Sequence, residues 1–233
     1  MSELAQRLDR LVLNLDHMGM RVEQALVDAL NALADGDGDA GRAVNKRDAL
    51  VDRQEVEIEQ ECIRLLALYQ PAAVDLRTIC MVIRVIGDLE RMADLAASIG
   101  KRVRKVVDHQ LDLTRYPGFE HLAQATLDVV GKTVRMLSLA DTSIAQRVME
   151  DDKLIDKGYK HFVQTVLADQ DQHIGGAEHA MILINLAKAL ERIGDHCTNI
   201  AEDVVFLRTG DIIRHAGAFE ETPPQQPATG QMD

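Results

Sequence analysis

The residues best placed to do chemistry in this chain are acidic side chains that occur twice in the same arrangement. Each copy has an aspartate pair spaced four residues apart in one helical stretch, followed by a Glu-x-x-x-Asp motif in the next. The copies consist of Asp48, Asp52, Glu90 and Asp94, and of Asp152, Asp156, Glu191 and Asp195. A spacing of four places two carboxylates on one helix face, where like charges repel unless a cation compensates them.

Each aspartate pair is expected to lie level with the Glu-x-x-x-Asp motif that follows it. In an antiparallel pair of helices, residues equally distant from the turn lie at the same height. The first copy is centred on Pro71, at the expected turn, and the second on the turn-like segment QDQHIGG. Each copy would therefore bring its carboxylates together at one level of a helical hairpin.

Such a cluster of ionised carboxylates requires either raised pKa values or a bound cation. Oxygen ligands favour hard cations such as magnesium, calcium, manganese or iron, and suit zinc less well. We therefore predict that all eight acids are metal ligands, in sites that are multinuclear or completed by water. The Glu-x-x-His motif of ferritin-like di-iron bundles is missing from these positions.

A simpler interpretation is that the acids lie on solvated helix faces and are neutralised locally. Lys188 is at salt-bridge spacing from Glu191, and Arg84 from Asp88. Repetition, matched height and the position of both glutamates on core-facing stripes favour a cation site over this alternative. His196, next to Asp195, points elsewhere on the helix and is assigned to packing or to the surface.

The elements that must hold these acids are long amphipathic helices. Apolar residues recur at alternating steps of three and four, and glycines at Asp35-Gly-Asp-Gly-Asp predict a turn after the first helix. Val44, Val51, Ile58 and Leu65 form a seven-residue repeat on the second helix, and the third carries a stripe from Leu76 through Glu90 to Gly100. The pattern predicts an all-α protein.

The two halves align on their acids, which indicates an internal repeat. Asp48 and Asp152 are offset by 104 residues, and Glu90 and Glu191 by 101. The predicted fold is two tandem antiparallel three-helix bundles with six long helices. The predicted divisions are a first bundle at 1–108, a linker at 109–118, a second bundle at 119–212 and a Pro- and Gln-rich disordered tail at 213–233.

Composition limits the class of protein. With no Trp, four Phe and three Tyr, the core must be aliphatic, which suits packed helices. The 26 basic and 38 acidic residues give a formal net charge of -12, which argues against a nucleic-acid partner. Neither a secretory signal nor a membrane span is expected, and three cysteines without a CxxC motif suit reduced thiols in a cytoplasm.

These acidic motifs and their surroundings resemble the PhoU family of phosphate-transport accessory proteins and phosphate-signalling regulators. The resemblance rests on YQPAAVDLRTICMVIRVIGDLERMADLAASI in the first half and AKALERIGDHCTNIAEDVVFL in the second. The preceding acidic helices, RDALVDRQEVEIEQ and EDDKLIDK, also match. The likeness extends from the first helix to about Gly210.

The resemblance implies metal clusters on the Glu-x-x-x-Asp motifs, with iron, zinc, manganese or magnesium as candidates, and a homodimer. It implies a non-enzymatic negative regulator of the phosphate-starvation response and of phosphate uptake. Its partners would be a sensor histidine kinase and the ATPase subunit of a phosphate ABC transporter, with the membrane reached only through them. Asn199 matches the second motif, but its counterpart is Ser98, so the two sites need not be equivalent.

Two other functions remain open from the residues. A metal-free helical scaffold would use its apolar seams to bind partner helices. A carboxylate-bridged metal enzyme or storage protein would need redox iron with an open coordination position, and the missing Glu-x-x-His motif argues against it.

Overall fold

The computed structural model describes residues 2–139, 141–171 and 176–210, and in these residues the chain is built from six α-helices with no strand. The helices are α1 (Glu3–Asp35), α2 (Gly38–Tyr69), α3 (Ala73–Asp108), α4 (Pro117–Leu139), α5 (Thr142–Asp171) and α6 (Ala177–Thr209). The prediction of two tandem three-helix bundles is confirmed. The predicted disordered tail at 213–233 lies outside the described residues.

The turn between α1 and α2 follows from its glycine and aspartate residues. Gly36 adopts the left-handed conformation, with φ of 63°, and ends α1. The side chain of Asp37 then accepts hydrogen bonds from the backbone N–H groups of Asp39 and Ala40, both at 2.9 Å, and so caps α2. The predicted turn in this segment is confirmed.

The predicted apolar stripes form the core, with one correction. The seven-residue repeat of α2 is buried throughout, at Val44, Val51, Ile58 and Leu65. Leu76, placed on the core stripe of α3, is instead 39% exposed. It lies in the first turn of α3, residues 73–76, which is exposed throughout, so the apolar stripe extends beyond the buried part of the helix.

The antiparallel register of α2 and α3 is fixed where two glycines touch. A Cβ atom on Gly100 would lie 2.6 Å from the carbonyl oxygen of Gly41, so the two backbones approach directly. Further along the pair, Glu55 Oε1 lies beside Gly87, 4.0 Å from the point where a Cβ would be. Both pairs are centred on the Gln70–Pro71 turn, as the spacing of the acids predicts.

The second hairpin has the corresponding register. Gly194 on α6 packs against Asp152 and Ile155 on α5, and the centre of these contacts falls inside the predicted turn segment. Part of that segment, residues 172–175, lies outside the described residues.

The two halves pack against each other through α3 with α6 and α1 with α4, and the buried apolar residues of both form one continuous core. The predicted linker at 109–118 contains a short 3-10 turn at Leu113–Arg115, and α4 begins inside it at Pro117. Among the described residues, no helix has the length and apolar character needed to cross a membrane.

Candidate metal centres

The first centre, defined by Asp48, Asp52, Glu90 and Asp94, lies between α2 and α3. The pKa of Asp48 is raised to about 6, mainly by burial and in part by the carboxylates of Asp94 and Asp52. Burial also raises the pKa of Glu90, as do Asp94 and Asp52. The structure therefore brings the four predicted residues into one electrostatic cluster across the hairpin.

Glu55 adds a fifth carboxylate to the first centre. Its pKa is raised by burial and by the neighbouring carboxylates of Glu59 and Asp52, and it in turn raises the pKa of Glu90. In the sequence it extends the aspartate stripe, but its counterpart in the second half is Tyr159. The first centre is therefore the more acidic of the two.

Two cations act on the first centre: Lys101 lowers the pKa of Asp48, and Arg91 is loosely held beside Glu90 and Asp94. Arg91 lies with Nε 3.4 Å from Glu90 and Nη1 3.9 Å from Asp94, and 63% of its side chain is exposed. Such an exposed pair contributes little free energy, because water screens it and the side chain loses entropy. Arg91 compensates the centre only in part.

The second centre, defined by Asp152, Asp156, Glu191 and Asp195, lies between α5 and α6. The pKa of Asp152 is raised to about 6, mainly by burial; the nearby Thr198 hydroxyl opposes the increase, and the carboxylates of Asp195, Asp156 and Glu191 contribute to it. Burial and the Glu191 carboxylate also raise the pKa of Asp195. The second set of predicted residues is thus also brought together.

A glycine makes room for the innermost carboxylate of the second centre. A Cβ atom at position 194 would overlap Oδ1 of Asp152, so this carboxylate rests against the backbone of α6. Ile155 packs on the same spot, 3.1 Å from that Cβ position. The equivalent residue in the first repeat is Ala93, and Asp48 therefore cannot approach α3 in the same way.

Lys188 is held directly in the second centre. Its ammonium donates hydrogen bonds to both carboxylate oxygens of Glu191, and it lies 5.2 Å from the centre of the Tyr159 ring. Burial lowers the pKa of Lys188, but Glu191, Tyr159 and Asp195 together outweigh it, so that the pKa is raised. The local pairing of Lys188 with Glu191 considered from the sequence is therefore real.

The two motifs differ at one position, which is Ser98 in the first repeat and Asn199 in the second. Both residues form hydrogen bonds outside the carboxylate clusters. The amide of Asn199 donates to Asp88 at 3.1 Å, and Nδ1 of His196 lies 2.8 Å from the same carboxylate oxygen. Ser98 accepts hydrogen bonds from Arg102. Asn199 and His196 thus join α6 to α3 and link the two repeats.

The donor atoms of both centres suit a hard cation. Oδ1 of Asp48 and Oδ1 of Asp152 are buried and have no hydrogen-bond partner among the described residues, and neither has Oγ1 of Thr198, which lies near Asp152. A buried carboxylate oxygen without a partner is costly, and a cation would satisfy it. Across the described residues, no three Asp, Glu, His or Cys side chains are arranged to hold one ion.

Sequence reasoning missed the role of Gly194 and did not include Glu55 with the eight acids. A glycine inside a helix costs about 1 kcal/mol relative to alanine, so Gly194 could have indicated a close approach. The contacts of Asp88 with His196 and Asn199 had no sequence signal, because they join residues more than 100 positions apart.

Comparison with known proteins identifies relatives over most of the chain. The model of the PhoU domain matches residues 15–103 and again residues 119–204. A phosphate-specific transport system accessory protein PhoU homolog from Pseudomonas aeruginosa is 32% identical over 200 residues, covering 86% of this chain and 83% of that protein.

Two solved structures have the same fold. The crystal structure of PhoU from Pseudomonas aeruginosa superposes with a TM-score of 0.85 and 30% identity, covering 90% of this chain and 100% of that one. The phosphate transport system regulatory protein PhoU from Streptococcus pneumoniae gives a TM-score of 0.84 and 26% identity, with coverage of 90% and 99%.

Proposed function

The chain belongs to the PhoU family, and on that premise we propose that it is a metal-binding helical adaptor that negatively regulates the phosphate-starvation response and phosphate uptake. It couples the ATPase subunit of a phosphate ABC transporter to a sensor histidine kinase. It acts as a homodimer in the cytoplasm and reaches the membrane through these partners alone.

The observation that carries metal binding is the pair of buried, unpartnered oxygens on Asp48 and Asp152. These two aspartates supply the innermost donors, and the remaining six acids, including the exposed Asp52, Asp94 and Asp195, supply the outer ones. A bound divalent cation supplies positive charge that cancels the repulsion between the two helices of each hairpin. The carboxylates thereby hold the hairpin in one arrangement, which a partner protein can recognise.

Metal binding is tested by elemental analysis of the purified protein. The double variant Glu191→Gln with Asp195→Asn should lose the metal of the second centre and keep that of the first. A control that replaces two exposed acids outside both centres, Glu120→Gln with Asp9→Asn, changes the net charge equally and should keep both. Unchanged metal content in the first variant would refute the assignment of the ligands.

The regulatory role is tested in the organism's own phosphate response. Deletion of the gene should switch on phosphate-starvation genes in phosphate-rich medium, and the wild-type gene should restore repression. Normal repression in a deletion strain that lacks a second copy would rule out the adaptor role, whatever the protein's metal content.

One observation favours a metal-free scaffold as the second candidate. Arg91 and Lys188 already supply positive charge to the two centres, so some compensation exists without metal. Purified protein that folds without bound metal, together with normal repression in cells by a variant that binds no metal, would support the scaffold. A redox enzyme would instead contain iron and consume oxygen, which the accessory and regulatory names of the relatives do not suggest.

A further inference from the structure

We propose that Lys188 is a built-in counter-ion of the second centre, which makes this centre bind divalent cations more weakly than the first. The proposal rests on the metal binding proposed above, and assigns each centre a different part in it. It follows from a difference between the repeats at two neighbouring positions.

The two positions correspond through the repeat. Glu90 and Glu191 are 101 residues apart, and the same separation relates Gly87 to Lys188. In the preceding helices the separation is 104 residues, which relates Glu55 to Tyr159. A glutamate beside a glycine in the first repeat is thus replaced by a tyrosine beside a lysine in the second.

In the second repeat, this exchange places a cation against a ligand. The Lys188 ammonium occupies both carboxylate oxygens of Glu191, whose side chain is only 12% exposed. The Tyr159 ring provides a second contact for the ammonium at 5.2 Å, at which a cation is attracted to the ring face. A metal ion that takes Glu191 as a ligand must therefore displace Lys188 from it.

In the first repeat, the same exchange adds negative charge. Gly87 has no side chain, and Glu55 Oε1 occupies the space beside it. The cation in direct contact with a ligand is Arg91, which reaches Glu90 through one nitrogen at 3.4 Å and is mostly exposed; Lys101 acts on Asp48 without an ion pair to it among the described residues. An entering cation meets five carboxylates there, and needs to displace only a weak surface contact.

The additional carboxylate of the first centre and the bound lysine of the second centre both favour cation binding at the first centre. Adding a carboxylate and removing a directly bound ammonium both increase the attraction for a divalent cation at partly buried sites. We expect the first centre to bind Mn²⁺ about tenfold more tightly than the second, or better. At limiting metal the first centre fills alone.

The experiment uses the full chain, stripped of metal with a chelator and titrated with Mn²⁺ by calorimetry or by the electron paramagnetic resonance signal of free Mn²⁺. Each centre is isolated by removing the other, with Glu90→Gln and Asp94→Asn or with Glu191→Gln and Asp195→Asn. In the chain that keeps the second centre, Lys188→Met should tighten Mn²⁺ binding about tenfold. Lys188→Arg, which keeps the charge, should leave the affinity close to that of the parent.

The reciprocal change is made in the chain that keeps the first centre. Gly87→Lys should weaken Mn²⁺ binding about tenfold, whereas Gly87→Ala should not, because the nearest atom to its new Cβ lies 4.0 Å away. Circular dichroism of each variant confirms that the helices remain.

Two results would overturn the proposal while leaving metal binding intact: equal Mn²⁺ affinity at the two isolated centres, or no change in affinity on Lys188→Met. Absence of Mn²⁺ binding at both centres of the unmodified chain would overturn the proposed metal binding and this proposal with it. Tighter binding in Lys188→Met together with weaker binding in Gly87→Lys is the result that establishes it.

Discussion

Gly194 and Asp152 pack so closely that a Cβ atom at position 194 would overlap the carboxylate oxygen Oδ1 of Asp152. The contact allows the Asp152 carboxylate to be buried, because a glycine lets it pack directly against the backbone of α6. The same oxygen is buried without a hydrogen-bond partner among the described residues. A backbone feature of one helix thus contributes to the desolvation of an acid on its neighbour.

We predict that Gly194→Ala drives the Asp152 carboxylate out of this position. Its pKa should fall from about 6 towards the ordinary aspartate value, because burial is the main cause of the increase. The measurement is an NMR titration of the side-chain carboxyl carbons in metal-free protein. Ala93→Gly at the equivalent position is the control and should leave the pKa of Asp48 raised; an unaltered Asp152 pKa in Gly194→Ala would contradict the account.

We also predict how the stability of the metal-free protein depends on pH. Asp48 and Asp152 have folded-state pKa values raised to about 6, so the folded state binds protons more strongly than the unfolded state. Their protonation stabilises the fold below pH about 4, and this contribution is lost as the pH rises through about 6.

Urea unfolding between pH 4 and 8, in the presence of a chelator, measures this dependence. The variant Asp48→Asn with Asp152→Asn should be more stable than the parent at pH 8 and should show a flatter profile, because its two amides do not ionise. A parent protein whose stability rises over the same pH range, with the same slope in the variant, would show that these two groups are not the cause.

The crossing of α2 and α3 provides a prediction about stability. Gly41→Ala would push a methyl group into the backbone carbonyl of Gly100, which cannot move aside as a side chain can. We expect the free energy of unfolding to fall by about 3 kcal/mol. Gly87→Ala on the same helix pair is the control, and should raise it by about 0.5 to 1 kcal/mol through helix propensity; similar effects in both would refute the close approach.

The contact between the repeats gives a further stability prediction. Arg84 donates to Asp203 at 3.2 Å, and the side chain of Asp203 is only 1% exposed. Arg84→Met should lower the free energy of unfolding by about 2 kcal/mol, because a buried carboxylate loses a cation. Arg84→Met with Asp203→Asn should recover part of that loss. Arg91→Met, at an exposed arginine, should change stability by less than about 0.5 kcal/mol.

The features that the sequence predicted well are those that depend on residue spacing within one helix or one helical hairpin. Helix periodicity placed Val44, Val51, Ile58 and Leu65 in the core, and equal distances from a turn placed Asp48 level with Asp94. Both rules depend only on the geometry of an antiparallel helix pair, so they hold without knowledge of the rest of the fold.

The features that sequence could not predict depend on how the two repeats meet. His196 and Asn199 reach Asp88, and Arg84 reaches Asp203, across the packing of α3 with α6. No local pattern identifies such partners, because each residue has other possible partners at shorter separation in sequence. The exposure of Leu76 was missed for a related reason, since periodicity does not say where the buried part of a helix ends.

The most direct test of metal binding is a crystal structure of the full chain equilibrated with excess Mn²⁺, with anomalous data collected on both sides of the manganese absorption edge. We predict anomalous peaks at both centres, in contact with Asp48 and Asp94 in the first and with Asp152 and Asp195 in the second. Crystals without a peak at either centre, with the carboxylates arranged as they are here, would contradict the account.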